Sequence, residues 1–592
     1  MADDPDPRGT TTPCGAPKEA AAHPTGTDHA DGAPTLGARQ ERQTWRQRTQ
    51  QEGPAPPREW KHVELPCEYV PAIGSVEDFA PERNGAILAI AAGCGTGKST
   101  RFREFMEVVW AERPHARVLL LSANILYGTN LSSELRGKFL DRRVGFYKDT
   151  GTSTSTRGEE LAECDVVVCS LESLHLVIGQ QFEMCLIDEV RSIGRLIGGA
   201  TMNNFDNHRL LTRICVETPR VVACDADLLF KVHDTEPAPL AKDFINDIAH
   251  GRPVVCASMT GPRPAHLARR WRAFFKHKKA VAGDEEWWRE LSQACDAWHA
   301  NHEHRIAVCV GTKRQLKQVC AFFEEKGVPW KPYCGDSNDE AKRGLNDPDR
   351  EWEALGALVF TTTLSIGVDP KSVRFARCFM WTHHAGCELL PMFQAIHRFG
   401  RSPNAPLLND VVDVLLGCPP PELQAALVQS GKTAPAHTPT FEEQRGLVTR
   451  RRGERAQAYA QMMVCGGGGV ADARGPAAVT DSLLQVMAHS KLESELKKCQ
   501  HYELFTRICA HYGWERVADA GGGGGGGDGE EEEGAPLHTD PDDMFLGLMG
   551  KLEQYEWALR YILRHDVSAF FDQCYGAATD TTCDMRGERE RV

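Results

Sequence analysis

From Trp60 onward the chain alternates short, continuous apolar runs with longer amphipathic stretches. The runs AILAIAAG (86–93), RVLLLSAN (117–124), DVVVCSLES (165–173), EMCLIDEV (183–190) and PRVVACDAD (219–227) place Val, Ile and Leu on successive positions. That is the pattern of strands buried on both faces, and its alternation with helical spacing predicts a doubly wound parallel sheet. A second series, RIAVCVGT (305–312), ALVFTTTL (357–364) and RFARCFMW (374–381), predicts another α/β unit. Beyond about residue 440 the strand pattern stops and helical periodicity takes over, in 442–464, 482–513 and 543–566.

The divisions that follow are a tail over 1–60, a first α/β domain over 61–250, a second over 251–440, and a helical extension over 441–592. The tail is rich in Ala, Pro, Gly, Thr and Arg without apolar periodicity, a composition that cannot bury enough surface to fold and is expected to be disordered. Gly466 to Gly469, and Gly521 to Gly527 followed by Glu530 to Glu533, read as linkers.

Charge and cysteine content narrow the functions open to such a chain. With 68 basic and 82 acidic side chains among 592 residues the formal charge is −14, which excludes coating nucleic acid by bulk electrostatics but leaves room for a local basic groove. The 21 cysteines form no CxxC pair and no zinc-finger spacing, so they are expected to be buried free thiols in a reducing compartment. The start, Met1-Ala2-Asp3-Asp4, is acidic with no apolar core, and no later run is long enough to span a bilayer; a soluble, nuclear or cytosolic protein with no membrane partner is expected.

The strongest chemical signal is AGCGTGKS at 92–99, directly after one apolar run and before TRFREFMEVVWAE (100–112), which has helical spacing. A strand, a glycine-rich loop and a helix in that order form a phosphate cradle. Gly93, Cys94, Gly95, Thr96 and Gly97 would wrap the phosphates with backbone N–H groups, Lys98 would reach the β and γ oxygens, and Ser99, followed by Thr100, would bring a hydroxyl to Mg²⁺. Asp188 and Glu189 close another apolar strand: Asp188 is a metal carboxylate candidate, and Glu189 a base for the attacking water. Farther on, Gln394, Arg398 and Arg401 share a helix-borne Q-x-x-x-R-x-x-R spacing able to place guanidinium charge on a departing phosphate.

In that order, AGCGTGKS (92–99), DEV (188–190), TTTLSIGVD (361–369) and QAIHRFGR (394–401) resemble motifs I, II, V and VI of the superfamily-two helicases, in which two RecA-like domains of the P-loop NTPase class sandwich ATP. DEV, SLESLH (170–175) and ACDADL (223–228) are more narrowly similar to the herpesvirus-type replication origin-binding protein family. The resemblance, over about 80–415, implies ATP and Mg²⁺ as cofactors, Lys98, Glu189, Arg398 and Arg401 as catalytic groups, and Gly367 and Asp369 as links between nucleotide state and strand. It also implies single-stranded or origin-duplex DNA, with other replication proteins, as partners. Backbone contacts to the strand would come from Ser122, Asn124, Thr312, Lys313 and Thr362, and DAD (225–227) would occupy the coupling motif III, an Asx turn being the competing reading. His397 replaces the glycine the family usually carries, which puts the local helix packing in question.

Three weaker features have bland readings. Trp287 and Trp288 could stack bases, but adjacent aromatics are more often core and surface of one helix; RRRGER (450–455) reads as a solvated helix face; and the acidic run is a solvating linker. The functional expectation is an ATP-dependent DNA helicase or translocase acting in replication. An RNA helicase, a repair translocase, or a nucleic-acid-binding scaffold that no longer hydrolyses ATP remain open alternatives.

Overall fold

The computed structural model describes residues 59–73, 85–123, 125–150, 153–197, 204–276, 281–337, 344–345, 347–364, 368, 370–430, 438–451 and 481–517. The expected tail up to residue 58, both glycine-rich linkers, the helix expected at 543–566 and most of the 450–455 cluster lie outside these residues.

Two parallel sheets form. The first has β1 (Lys61–Leu65), β2 (Ile87–Ala91), β3 (Val118–Ser122), β4 (Val144–Phe146), β5 (Val166–Ser170), β6 (Met184–Asp188), β7 (Arg220–Asp225) and β8 (Val254–Met259), in the order β1-β8-β2-β7-β6-β3-β5-β4. All its neighbouring strands are parallel, and β8 carries the sheet beyond the boundary expected at 250. The second has β9 (Arg270–Phe275), β10 (Arg305–Val310), β11 (Trp330–Tyr333), β12 (Ala357–Phe360), β13 (Phe375–His383), β14 (Val411–Gly417) and β15 (Glu515–Arg516), in the parallel order β11-β12-β10-β13-β14-β9-β15. Side chains alternate across it as a pleated strand requires: along β10, Ala307 and Cys309 enter one core, while Ile306, Val308 and Val310 enter the other.

β9 and β14 escape the apolar-run criterion because charges interrupt them, RWRAFF and VVDVLLG. Pairing across the sheet makes those charges tolerable. Asp413 of β14 stands in register with Arg272 of β9, accepts from it at 2.7 Å, and also accepts from Arg377 of β13. Glu290 of the helix Val281–Ala300 takes both arginines at 2.9 Å. A fully buried carboxylate is thus flanked by two guanidinium groups, the condition under which a charge can occupy a core. Trp287 is also fully buried, edge-on to Trp288 at 5.0 Å and to Phe379 at 5.7 Å, and Trp288 is half-buried against the same cluster.

The helical stretch expected at 482–513 is two helices, Asp481–Cys499 and His501–His511, broken at Gln500. The first packs on the helix Leu240–Ala249 beneath the first sheet; β15, just after the second, pairs with β9 at the edge of the second sheet. One anchor is His489, fully buried between Glu236 (2.6 Å) and Asp243 (2.9 Å). Burial alone would lower its pKa, but the hydrogen bonds and charges of Asp243 and Glu236 hold it above the ordinary 6.5. A raised folded-state value means that the stabilisation is fully present below 6.5 and is lost as pH rises through the folded-state pKa. The melting-temperature advantage of the wild type over His489→Gln is therefore expected to be larger at pH 6 than at pH 9; an equal difference at both would show that His489 carries no charge in the fold.

The described cysteines are all free thiols, most of them buried. No described helix is long and apolar enough to cross a membrane.

Candidate functional site

The sheet order brings the chemistry together. β7 lies between β2 and β6, and its register sets Ala91 beside Asp225 and Asp188 beside Cys224. The glycine-rich loop, the 225–227 turn and the 188–189 carboxylates therefore leave the sheet side by side at its carboxyl edge, where ligands bind in open α/β sheets.

The loop runs from Ala92 into the helix Lys98–Glu112, whose N-cap, Gly97, is left-handed at φ 89°. Gly95 is left-handed too, at φ 80°, and a Cβ there would stand 2.9 Å from Leu267 Cδ1 and 3.3 Å from Arg401 Cγ. The Thr96 hydroxyl donates to Gly93 O at 2.8 Å, and Lys98 Nζ curls back to donate to Ala92 O (2.8 Å) and Gly93 O (3.0 Å). Burial alone would lower the Lys98 pKa, but Cys94, Cys224, Glu189 and Asp188 hold it above its ordinary value, so the ammonium stays charged. Cys94 is pushed up by burial, which keeps its thiol neutral. Thr100 is exposed, its hydroxyl accepting from Arg103 at 3.3 Å.

Asp188 accepts from the Tyr127 hydroxyl, from Cys224 Sγ at 2.8 Å and from the Glu189 amide at 3.1 Å. Ser99, Tyr127 and Asp188 line one small cavity together with Phe102, Met106, Leu120, Leu121, Leu131 and Leu135. No group of three or more His, Cys, Asp or Glu side chains among the described residues is arranged to hold a metal, so Mg²⁺ here would depend on Ser99, Asp188 and oxygens of phosphate and water.

Glu189 has φ 59°, one of two described non-glycine residues with positive φ. Such strain in a non-glycine residue persists where surrounding structure over-determines it, and it clusters at functional sites. Burial first, then the Asp225 and Asp188 carboxylates, push its carboxyl to about 8, while Lys98 and Arg398 pull it down.

Across the cleft, the helix Leu389–Ile396 carries Gln394, whose Nε2 donates to Glu189 Oε2 at 3.2 Å and to Asp227 Oδ2 at 3.3 Å. Gln394 Oε1 is buried with no partner among the described residues. Arg398 is buried close enough to act electrostatically on both Glu189 and Cys94, and Arg401 lies against Gly95. The two sheets thus contribute to one cleft, as the motif order predicts.

At 225–227 the Asx turn forms: Asp225 Oδ1 accepts the Asp227 amide at 2.7 Å, and the Asp227 carboxylate accepts from Gln394 Nε2 at 3.3 Å. His397 caps the Leu389–Ile396 helix, stacks on Tyr512 at 5.0 Å and accepts from Trp514 Nε1 at 2.8 Å. Where a glycine was expected, the C-terminal segment supplies the packing for an imidazole. Burial and the surrounding Arg269, Arg263, Arg398 and Arg401 hold His397 well below its ordinary pKa, so the ring is neutral.

The described candidate strand-contact residues divide between the two sheets. Ser122 is fully buried and its hydroxyl donates to Cys169 O at 3.3 Å; this corrects the expectation that it touches nucleic acid, because it points into the sheet. Thr312 caps the helix Lys313–Glu325 by accepting from the Gln315 amide at 3.2 Å, and Lys313 is exposed and paired with Asp336 at 2.5 Å. The Thr362 hydroxyl donates to Cys387 Sγ at 3.7 Å. Thr312, Lys313 and Thr362 follow the adjacent strands β10 and β12 on one edge of the second sheet. Asn124, Gly367 and Asp369 lie outside the described residues.

Residues not anticipated are Tyr127 and Cys224 on Asp188, and His511 and Tyr512 on Asp227. Tyr127 is one turn into a helix and Cys224 is one residue in an apolar strand; nothing in their spacing marks them. His511 and Tyr512 are far away in sequence and are placed by packing alone.

No family model matches the sequence, and no curated protein matches it. Among solved structures the chain is similar to the DUF1998 helicase MrfA bound to DNA, at 15% identity over 64% of this chain and 52% of that one, with a TM-score of 0.41. It is similar to Mycobacterium smegmatis helicase Lhr bound to single-stranded DNA and AMP-PNP, at 15% identity over 64% and 51%, TM-score 0.41. It is also similar to Mss116p bound to single-stranded RNA and AMP-PNP, at 11% identity over 64% and 78%, TM-score 0.39. The chain spans about half the length of the first two proteins.

Proposed function

We propose that the chain is an ATP-hydrolysing nucleic-acid motor of the superfamily-two helicase kind. The observation that carries the reading is the meeting, in one cleft, of Lys98, Asp188 and Glu189 from the first sheet with Gln394, Arg398 and Arg401 from the second. The loop N–H groups and Lys98, released from Ala92 O and Gly93 O, bind the triphosphate. Ser99 and Asp188 are the residues that would hold Mg²⁺, which when bound supplies positive charge beside the β and γ oxygens. Glu189 orients the attacking water and takes its proton at a carboxylate oxygen. Arg398 and Arg401 set guanidinium charge against the phosphoryl group as negative charge develops.

Because the catalytic groups are split between two lobes, nucleotide turnover would open and close the cleft and step the protein along a strand held mainly by its backbone. We read DNA as the strand and replication as the setting, from the DEV, SLESLH and ACDADL similarity to origin-binding proteins. The test is ATP turnover by the purified chain with and without single-stranded DNA or RNA. Stimulation by DNA supports the full reading, preferential stimulation by RNA replaces the replication role with an RNA one, and ATP binding without turnover on either would leave only a scaffold.

The loop geometry gives an independent check. Gly95→Ala forces a Cβ into Leu267 at a left-handed φ. It is expected to weaken binding of a fluorescent ATP analogue by about tenfold or more, the scale of one strained backbone position. Unchanged affinity would mean that the loop does not cradle phosphate.

A further inference from the structure

The segment 481–517 touches both lobes, reaches the cleft at His511 and Tyr512, and ends at the edge of the second sheet. Glu493 binds Arg191 of the first lobe, Lys497 Nζ donates to Gly386 O of the second at 2.7 Å, and His501 Nε2 shares a hydrogen bond with the Thr382 hydroxyl at 2.8 Å. Farther on, Arg263 donates to the backbone oxygens of His511 (2.7 Å) and Tyr512, and Trp514 packs on Phe393 of the Gln394 helix at 4.5 Å. These contacts deliver two side chains to one carboxylate: His511 Nε2 donates to Asp227 Oδ1 at 3.0 Å, and the Tyr512 hydroxyl to Asp227 Oδ2 at 3.2 Å.

Asp227 has no solvent exposure and already shares the Gln394 amide with Glu189. A buried carboxylate takes the orientation its donors dictate, since losing one leaves an acceptor unsatisfied. Three side chains therefore fix Asp227, and Asp227 in turn fixes which way the Gln394 amide faces Glu189. Two of the three come from a segment that no phosphate-binding or helicase-like motif includes. We propose that His511 and Tyr512 are positioning residues for hydrolysis, so that the C-terminal segment is a working part of the nucleotide site rather than an appended domain. This rests on the hydrolytic reading above.

The experiment compares Tyr512→Phe, His511→Ala, His511→Gln and Asp227→Asn with the wild type in the full chain, reading kcat under the best nucleic-acid stimulation and Kd for a fluorescent ATP analogue. Tyr512→Phe keeps the ring that stacks on His397 and removes only the donor. It is expected to lower kcat about tenfold, the scale of one hydrogen bond to a charged group, with Kd unchanged. His511→Gln, which can still donate, is expected to retain more turnover than His511→Ala. Tyr512→Phe/Asp227→Asn is expected to be no slower than Asp227→Asn alone, because the tyrosine acts through the aspartate.

Wild-type kcat in both Tyr512→Phe and His511→Ala would overturn the inference while leaving the motor intact; so would losses that simply multiply in the double variant. A wild type without turnover would instead sink the hydrolytic reading. Hydrogen exchange then decides the inference: AMP-PNP with Mg²⁺ slowing exchange at 505–517 sustains the link between segment and site, and unchanged exchange there removes it.

Discussion

Glu189→Gln is expected to reduce nucleic-acid-stimulated ATP turnover by about 10²- to 10⁴-fold, the usual contribution of a positioned general base. Binding of ATP should survive. The replacement keeps the shape of the side chain, its amide oxygen can still accept from Gln394 Nε2, and the backbone at φ 59° is held from outside the side chain. Lys98 and the loop amides, proposed above to bind the triphosphate, are untouched. Nucleotide affinity within a fewfold of the wild type together with collapsed kcat is the signature of a group used in the transition state alone. Turnover of the variant within about tenfold of the wild type would show that another group takes the proton, because so small a loss is below what a general base supplies.

The largest expected effect on stability comes from the pair Arg191 and Glu493, behind the 188–189 carboxylates. Glu493 is 1% exposed and accepts from Arg191 Nη2 at 2.7 Å and from Arg195 Nη1 at 3.1 Å, and Arg191 is itself only 3% exposed. Burial would raise the Glu493 pKa, but Arg195 and Arg191 hold it below the ordinary carboxylate value. Glu493→Ala leaves the Arg191 guanidinium buried without its counterion. The expected cost is about 3–5 kcal/mol, read from denaturant unfolding. Arg191→Met/Glu493→Leu should recover most of that loss, because removing both charges also removes the desolvation penalty. A loss below about 1 kcal/mol for the single variant would place the pair in the range of solvent-exposed bridges and mean that the segment 481–517 does not dock as described.

The two predictions probe parts of the molecule that were unequally legible. Asp188, Glu189, Lys98 and Gln394 stand out because each belongs to a local pattern: a loop between strand and helix, acids at a strand end, a polar residue at a helical repeat. Local patterns are written by backbone geometry, and a sequence carries them directly. Glu493 looked like any charge on an amphipathic helix. Its burial follows from where the helix Asp481–Cys499 lands, which no periodicity records. For the same reason the resemblance that implied a nucleic-acid contact at Ser122 carried no sign that the neighbouring strand β5 takes its hydroxyl. β9 and β14 were missed because a strand whose arginine and aspartate neutralise each other across the sheet has no continuous apolar run to show.

By itself the sequence determined the two parallel sheets, the phosphate loop and the paired carboxylates, since apolar continuity, glycine placement and strand-end acids are consequences of burial and backbone geometry over a few residues. Only the tertiary structure decided that Gln394 meets both Glu189 and Asp227, that His397 is accommodated by Tyr512 and Trp514, and that the C-terminal helices close onto the cleft. Those are contacts between residues up to hundreds of positions apart, set by shape and charge complementarity between whole elements, and such complementarity leaves no periodic trace along the chain.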